Sequence, residues 1–315
     1  MKKFLLLILL SSFNIVNGQI TTLNVPKDKI VEEQITYDVT TNFMGTNAKA
    51  YVGQELYLKG ISESLRVYGY SDFKTDQNTT YFRESNVYKC CSSKSKFNSS
   101  YELLNGKYFK VLEVIPHGYT KEFPTIYSEY FFKLEEKESK DIVYYKYNGK
   151  YEHSFPFVVV SHFEHLKNNS VGIKIITTKN YFDNTDLSGD TFELKTGDIW
   201  TVEDVTIEDK YYKLVYVVKN SRGNRKTIEV SSFNDTAPNR AILTVKEYNK
   251  YKLKFGATNW NKIFEEGKVV VGFTEEMCLL AWGNPNSINK ASYGDQWVYD
   301  NQYLYFKNGK LTSYN

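Results

Sequence analysis

Three short segments of this 315-residue chain occur twice in the same order. The stretch "YVGQELYL" (51–58) resembles "SVGIKIIT" (170–177), with Val52-Gly53 matching Val171-Gly172. Further on, "LLNGKYFKVLEVI" (103–115) resembles "LKTGDIWTVEDVT" (194–206), which aligns Gly106 with Gly197 and Phe109 with Trp200. Then "YFFKL" (130–134) resembles "KYYKL" (210–214), each leading into a β-rich run. An internal repeat limits the possible folds sharply, because both copies must form the same supersecondary unit. The spacing is unequal: 53 residues separate Gly53 from Gly106, and 25 separate Gly172 from Gly197. The expectation is one small β-domain present twice, with residues between about 59 and 102 inserted in the first copy.

The second copy is the easier to read. Gly197-Asp198 turns into a strand over Ile199–Ile207, a second strand follows over Tyr211–Val218, and "NSRGN" (220–224) is a hairpin loop before a return over Thr227–Ser231. Short strands joined by tight turns point to a sandwich or small barrel. Aromatic side chains make up 16% of the chain and include 27 tyrosines, usage that suits half-buried sheet surfaces. Such rings either pack across strands or offer a platform for glycan. The pattern "GDIWTVEDV…YYKLVYVVKNSRGNRKTIEV" resembles the small Src-homology-type barrels of bacterial exported proteins. That resemblance implies binding of peptides or cell-wall components through aromatics near loop ends, and Trp200, Tyr211 and Tyr212 are the corresponding candidates. The same three residues would also serve as barrel core.

Near the C-terminus, "LTVKEYNKYKLKFG" (243–256) and "NWNKIFEEG" (259–267) read as helices closed by glycine. Thr274 has the hydroxyl of an N-cap, Glu275 and Glu276 suit a positive helix start, and Gly283 with Pro285 stops the helix. Strands follow over Ser287–Ala291, 296–299, 302–308 and Lys310–Tyr314, the last two joined by Asn308-Gly309. The segment "VVVGFTEEMCLLAWGNP…DQWVYDNQYLYFKNGKLTSYN" resembles the BamE/SmpA/OmlA-like module of bacterial envelope proteins. The features that match are Gly272-Phe273-Thr274, Trp282-Gly283-x-Pro285, Trp297-x-Tyr299 and Phe306-x-Asn308-Gly309-Lys310. The resemblance implies two helices packed on an antiparallel meander and a role in protein–protein contact. No anchor cysteine accompanies it here, so a scaffold role carries over rather than membership of an assembly machine.

The expected fold is therefore mainly β with an α+β C-terminal domain. Residues 1–18 form a signal peptide and 19–48 a leader. The first β-domain covers 49–167, the small barrel 168–236 and the helix-and-meander module 240–315. Lys2, Lys3, the apolar run Phe4–Leu10 and the small residue Gly18 mark a secretory signal cleaved before Gln19. Cleavage leaves 38 basic against 37 acidic side chains, a balance with no electrostatic reason for nucleic acid as partner. No segment reaches the length of a transmembrane helix. A periplasmic or secreted location follows, without a lipoprotein cysteine.

Known chemistries leave little trace. Cys90, Cys91 and Cys278 are too few and too unevenly spaced for a disulfide scaffold. His162 and His165 in "SHFEHLKN" lack a third metal ligand at a usual spacing and read as surface residues. No Gly-x-Ser-x-Gly, His-Glu-x-x-His, P-loop or Cys-x-x-Cys occurs. In "NDTAP", Thr236 fits an Asp-Thr-small acceptor for O-linked glycan, and an ordinary linker fits equally well. The leading expectation is a non-catalytic envelope protein, free of metal and cofactor, that binds a protein or cell-wall component. A peptide or glycan hydrolase whose site assembles only in three dimensions is one alternative. A secreted enzyme inhibitor, by analogy with the last module, is the other.

Overall fold

A computed structural model describes residues 36–77, 86–123, 128–178, 185–193, 195, 197–233, 236–292 and 294–315. The expected signal peptide, its cleavage site and the leader up to residue 35 lie outside these residues.

The first sheet begins with β1 (Glu55–Leu58), followed by β2 (Phe73–Lys74), a helical turn α1 (Tyr101–Leu104), β3 (Tyr108–Pro116), β4 (Glu129–Glu136), β5 (Ile142–Asn148) and β6 (Phe157–Val159). The spatial order is β2-β5-β4-β3-β1-β6. Helix α2 (Val160–Ser170) leads to the second sheet: β7 (Lys174–Thr177), β8 (Ile199–Ile207), β9 (Leu214–Asn220), β10 (Arg225–Glu229), the turn α3 (Val230–Phe233) and β11 (Ile242–Thr244). Its order is β10-β9-β8-β7-β11. Apart from β2, a short edge strand contributed by the 59–102 segment, the two orders are the same. The strand pairings in both sheets are antiparallel.

The likeness extends to register. Leu56 stands opposite Phe109 in the first sheet, and Ile175 opposite Trp200 in the second. The next ladder slips between Val111 and Glu113 in one sheet and between Val202 and Asp204 in the other. A bulge of this kind adds a residue to one strand and frees a backbone group from the ladder. In both sheets the same device uses that group: Gly53 N–H donates to the Val111 carbonyl, and Gly172 N–H to the Val202 carbonyl, each at 2.8 Å. Gly53 (φ 85°) and Gly172 (φ 89°) take the left-handed turn that aims these donors, which explains the glycine of the repeated Val-Gly pair. The third repeat segment is displaced, however. Leu134 faces Val111 and Val218 faces Val202, so Tyr130–Leu134 corresponds to Leu214–Val218 rather than to 210–214. Residues 208–213 form the loop ahead of β9.

Strict alternation sorts the side chains. Leu56, Leu58, Phe109, Val111, Phe157 and Val159 enter the first core, which is packed with Tyr51, Phe73, Phe132, Tyr145 and Tyr147. Tyr37, Phe43 and Met44 pack against it as well, so the part of the expected leader from residue 36 onward belongs to this fold. The Asn42 side chain accepts from Val159 N–H (2.8 Å) and donates to the Phe157 carbonyl (2.9 Å). It thereby satisfies backbone groups on β6, the edge strand of the sheet.

The third sheet is a meander of β12 (Ser287–Ala291), β13 (Gly294–Val298), β14 (Tyr303–Lys307) and β15 (Lys310–Tyr314), preceded by α4 (Val245–Phe255), α5 (Ala257–Phe264) and α6 (Glu275–Trp282). In α6, Thr274 Oγ1 accepts from Met277 N–H at 3.3 Å, and Gly283 ends the helix at φ 81°. Helix α4 starts two residues later than the sequence pattern implies. Residues 242–244 are strand β11, and Thr244 with Glu247 forms a reciprocal capping box. The chain within 240–315 therefore supplies the edge strand of the second sheet before entering its own module. Ile176 of β7 and Leu243 of β11 in turn join Trp260, Cys278, Trp297 and Phe306 in the C-terminal core.

Candidate functional site

The loop after β8 is organised by one carboxylate. Glu208 accepts from the backbone N–H of Lys210 (3.0 Å) and of Tyr211 (2.6 Å), and its own N–H donates to the Lys213 carbonyl (3.0 Å). This tight turn carries Tyr212 at φ 54°, a left-handed conformation uncommon for a residue with a bulky side chain. Its ring crosses to the first β-domain. Arg66 Nη2 donates to the Tyr212 hydroxyl at 2.9 Å, and the Tyr101 hydroxyl lies 3.4 Å from it. Gly60 makes the approach possible, because a Cβ there would sit 2.0 Å from Tyr212 Cε1. Burial, then the Tyr212 hydroxyl, pushes Tyr101 up to about 12.

Beside this contact lies a cleft of about 260 Å³. It is lined by Lys59–Ile61, Gly69–Ser71, Phe73, Tyr145, His153–Pro156, Tyr211 and Tyr212. The walls are set by buried phenols. Tyr70 donates to the Lys59 carbonyl at 2.7 Å and Tyr145 to the Ser154 carbonyl at 3.0 Å. A second cavity of about 310 Å³ lies on the opposite face of β1. It is lined by Tyr57, Tyr108, Val158, Val160 and Phe163 of the first β-domain and α2, and by Thr206 and Ile207 of β8. Tyr57 and Tyr108 are cross-strand partners with ring centroids 5.1 Å apart.

The three aromatic candidates from the sequence separate. Trp200 is 1% exposed in the core of the second sheet, opposite Ile175, and has no surface to offer a ligand. Of the two roles open to it, core filling is the one its position allows. Tyr211 is 61% exposed at the cleft, with Lys210 Nζ 4.9 Å and Lys213 Nζ 6.0 Å from its ring centroid. Tyr212 is half-buried and already engaged by Arg66. Thr236 is exposed in the loop between α3 and β11. The residues that receive Tyr212, namely Gly60, Arg66 and Tyr101, lie in the 59–102 segment. They carry no periodic or motif signal that sequence reading could use.

Other chemistry is accounted for by packing. His162 is buried rather than on the surface, its Nδ1 2.8 Å from the Val39 carbonyl, because the 36–44 segment covers that face of α2. His165 lies against the Asn169 side chain instead of joining it. Among the described residues no group of three His, Cys, Asp or Glu side chains could hold a metal ion. Cys90 and Cys91 are disulfide-bonded to each other, and Cys278 is a free thiol with no exposed surface. Burial pushes that thiol up to about 12, which leaves it protonated and unreactive. Among the described residues no helix is long and apolar enough to cross a membrane.

Comparison with family models, curated proteins and solved structures finds no match.

Proposed function

We propose that this chain is an exported, non-catalytic envelope protein that binds a protein or cell-wall partner at the cleft between its two β-domains. The observation that carries this reading is the cleft lining. An exposed tyrosine, Tyr211, stands beside a recess whose walls are held by buried phenols. Rigid amphipathic rings beside a preformed recess are suited to recognition, since little conformational entropy is lost on binding.

The shared strand order and bulge of the two sheets support a duplicated domain of the Src-homology type. The helices followed by a meander at the C-terminus support a BamE/SmpA/OmlA-like scaffold. Signal-peptide cleavage before Gln19 would deliver both to the periplasm or the medium. The test is retention of the purified exported chain on cell-wall sacculi and on immobilised envelope proteins. Tyr211→Ala is expected to reduce retention at least fivefold without changing the melting temperature. Retention on neither material overturns the reading.

A further inference from the structure

A lysine, Lys59, lines the cleft with no ion-pair partner among the described residues. Among them its Nζ has no hydrogen-bond acceptor either. Its backbone is fixed on both sides, with N–H donating to the Pro156 carbonyl at 3.0 Å and the carbonyl accepting from Tyr70. No carboxylate lines the recess. Glu152, close enough for its charge to be felt, is exposed and makes no ion pair with Lys59. Burial pushes the Lys59 ammonium down, the Glu152 charge opposing it, which is the mark of a cation partly withdrawn from water. A withdrawn cation without a counter-charge lowers stability. A ligand anion would restore the missing partner.

We propose that the recess at Lys59 is a carboxylate site whose ligand is the free carboxyl end of a short peptide. This rests on the binding role proposed above and names the group recognised. Size and chemistry argue for a chain end. About 260 Å³ falls just below the roughly 300–1,000 Å³ of small-molecule pockets, room for one or two terminal residues. Phe73 and Phe155 are among the lining residues, as is Ser71, whose hydroxyl donates to Asp72. A single flexible ammonium suits a monoanion. Phosphate is more often held by a bidentate guanidinium or a helix N-terminus. Arg66, the nearest candidate, donates to Tyr212 and does not line the recess.

Titration calorimetry of the full exported chain with N-acetylated tri-alanine, as free acid and as C-terminal amide, tests this directly. The acid is expected to bind at least tenfold more tightly than the amide. Lys59→Met, which keeps the side-chain stem, should remove that preference while leaving the weak amide affinity in place. L- and D-alanine versions of the acid distinguish a protein terminus from a cell-wall stem peptide as source, and preferential binding of either acid supports the site. Equal affinity for acid and amide overturns it, as does no binding of either acid; neither result depends on the variant. If sacculi or envelope proteins are still retained, only the carboxylate site falls. If nothing is retained, the broader binding role falls with it.

Discussion

Arg66 donates a 2.9 Å hydrogen bond to Tyr212, a residue 146 positions further along the chain. The donor belongs to the segment between β1 and β2, and the acceptor to the loop between β8 and β9. This pair, with the close approach at Gly60, ties the two sheets together beside the proposed binding cleft.

Loosening that tie gives a direct prediction. A hydrogen bond to a charged donor contributes about 1.5–3 kcal/mol when well buried, and half-burial of this pair lowers the expectation to about 1 kcal/mol for Tyr212→Phe. Tyr212→Ala also loses the ring and should cost about 2 kcal/mol, below the figure of about 3–5 kcal/mol for a fully buried aromatic. A double-mutant cycle of Arg66→Ala with Tyr212→Phe, read by urea unfolding, should show the two effects to be less than additive. Gly60→Ala should mimic Tyr212→Ala, because its methyl group displaces the ring. Additive effects of Arg66→Ala and Tyr212→Phe would mean that the two β-domains do not hold this contact in solution.

Acid stability should depend on Glu136. This carboxylate is 1% exposed at the end of β4 and receives hydrogen bonds from Tyr88 and Lys89, with Lys107 Nζ 3.7 Å away. Burial alone would raise it, but the Lys89 and Tyr88 hydrogen bonds, with the charges of Lys89 and Lys107, outweigh burial and hold it below 4.5. The unfolded chain therefore binds this proton more readily than the folded one. The stabilisation is complete above about pH 4.5 and is lost as the pH falls through the lower folded value. Glu136→Gln should lower stability at pH 7 by about 1–3 kcal/mol and flatten its acid dependence. Urea midpoints measured from pH 7 down to pH 3 decide the matter. Parallel curves for the two proteins would count against the network.

Trp297 should govern the C-terminal module. It is 4% exposed, with its ring 4.6 Å from that of Phe306. Trp297→Ala should cost about 3–5 kcal/mol, a large share of the roughly 5–15 kcal/mol that stabilises a typical domain. The sequence leads one to expect the loss to stop at residue 240. Because Ile176 and Leu243 share this core, hydrogen-exchange protection should fall in β7 and β11 as well, and persist in β3, β4 and β5. Protection lost only beyond residue 245 would show that the shared core carries little energy.

Local patterns were the legible part of this fold. Alternation and turn residues locate β8, β12 and β15 at their observed limits, and Thr274 with Gly283 bounds α6. Such signals depend on neighbours within a few residues. Strand β11 was missed although Thr244 and Glu247 stand at capping-box spacing, a signal that places the helix start at Val245. Letters alone misplace the third repeat segment, because Lys213-Leu214 repeats Lys133-Leu134 at a different place relative to the bulge.

By itself, the sequence determined the local elements, the repeated Val-Gly turn and the alternation that separates core from surface. All of these follow from backbone geometry and side-chain period. Only the tertiary structure decided that Trp200 is core, that Tyr212 is a tie between sheets, that His162 is covered, and that Lys59 lines a recess with no ion-pair partner among the described residues. Each depends on residues far away in the chain, and in the Tyr212 contact on the 59–102 segment of the first sheet. Burial and pairing of a side chain are properties of what lies across from it, and one-dimensional patterns carry no record of that.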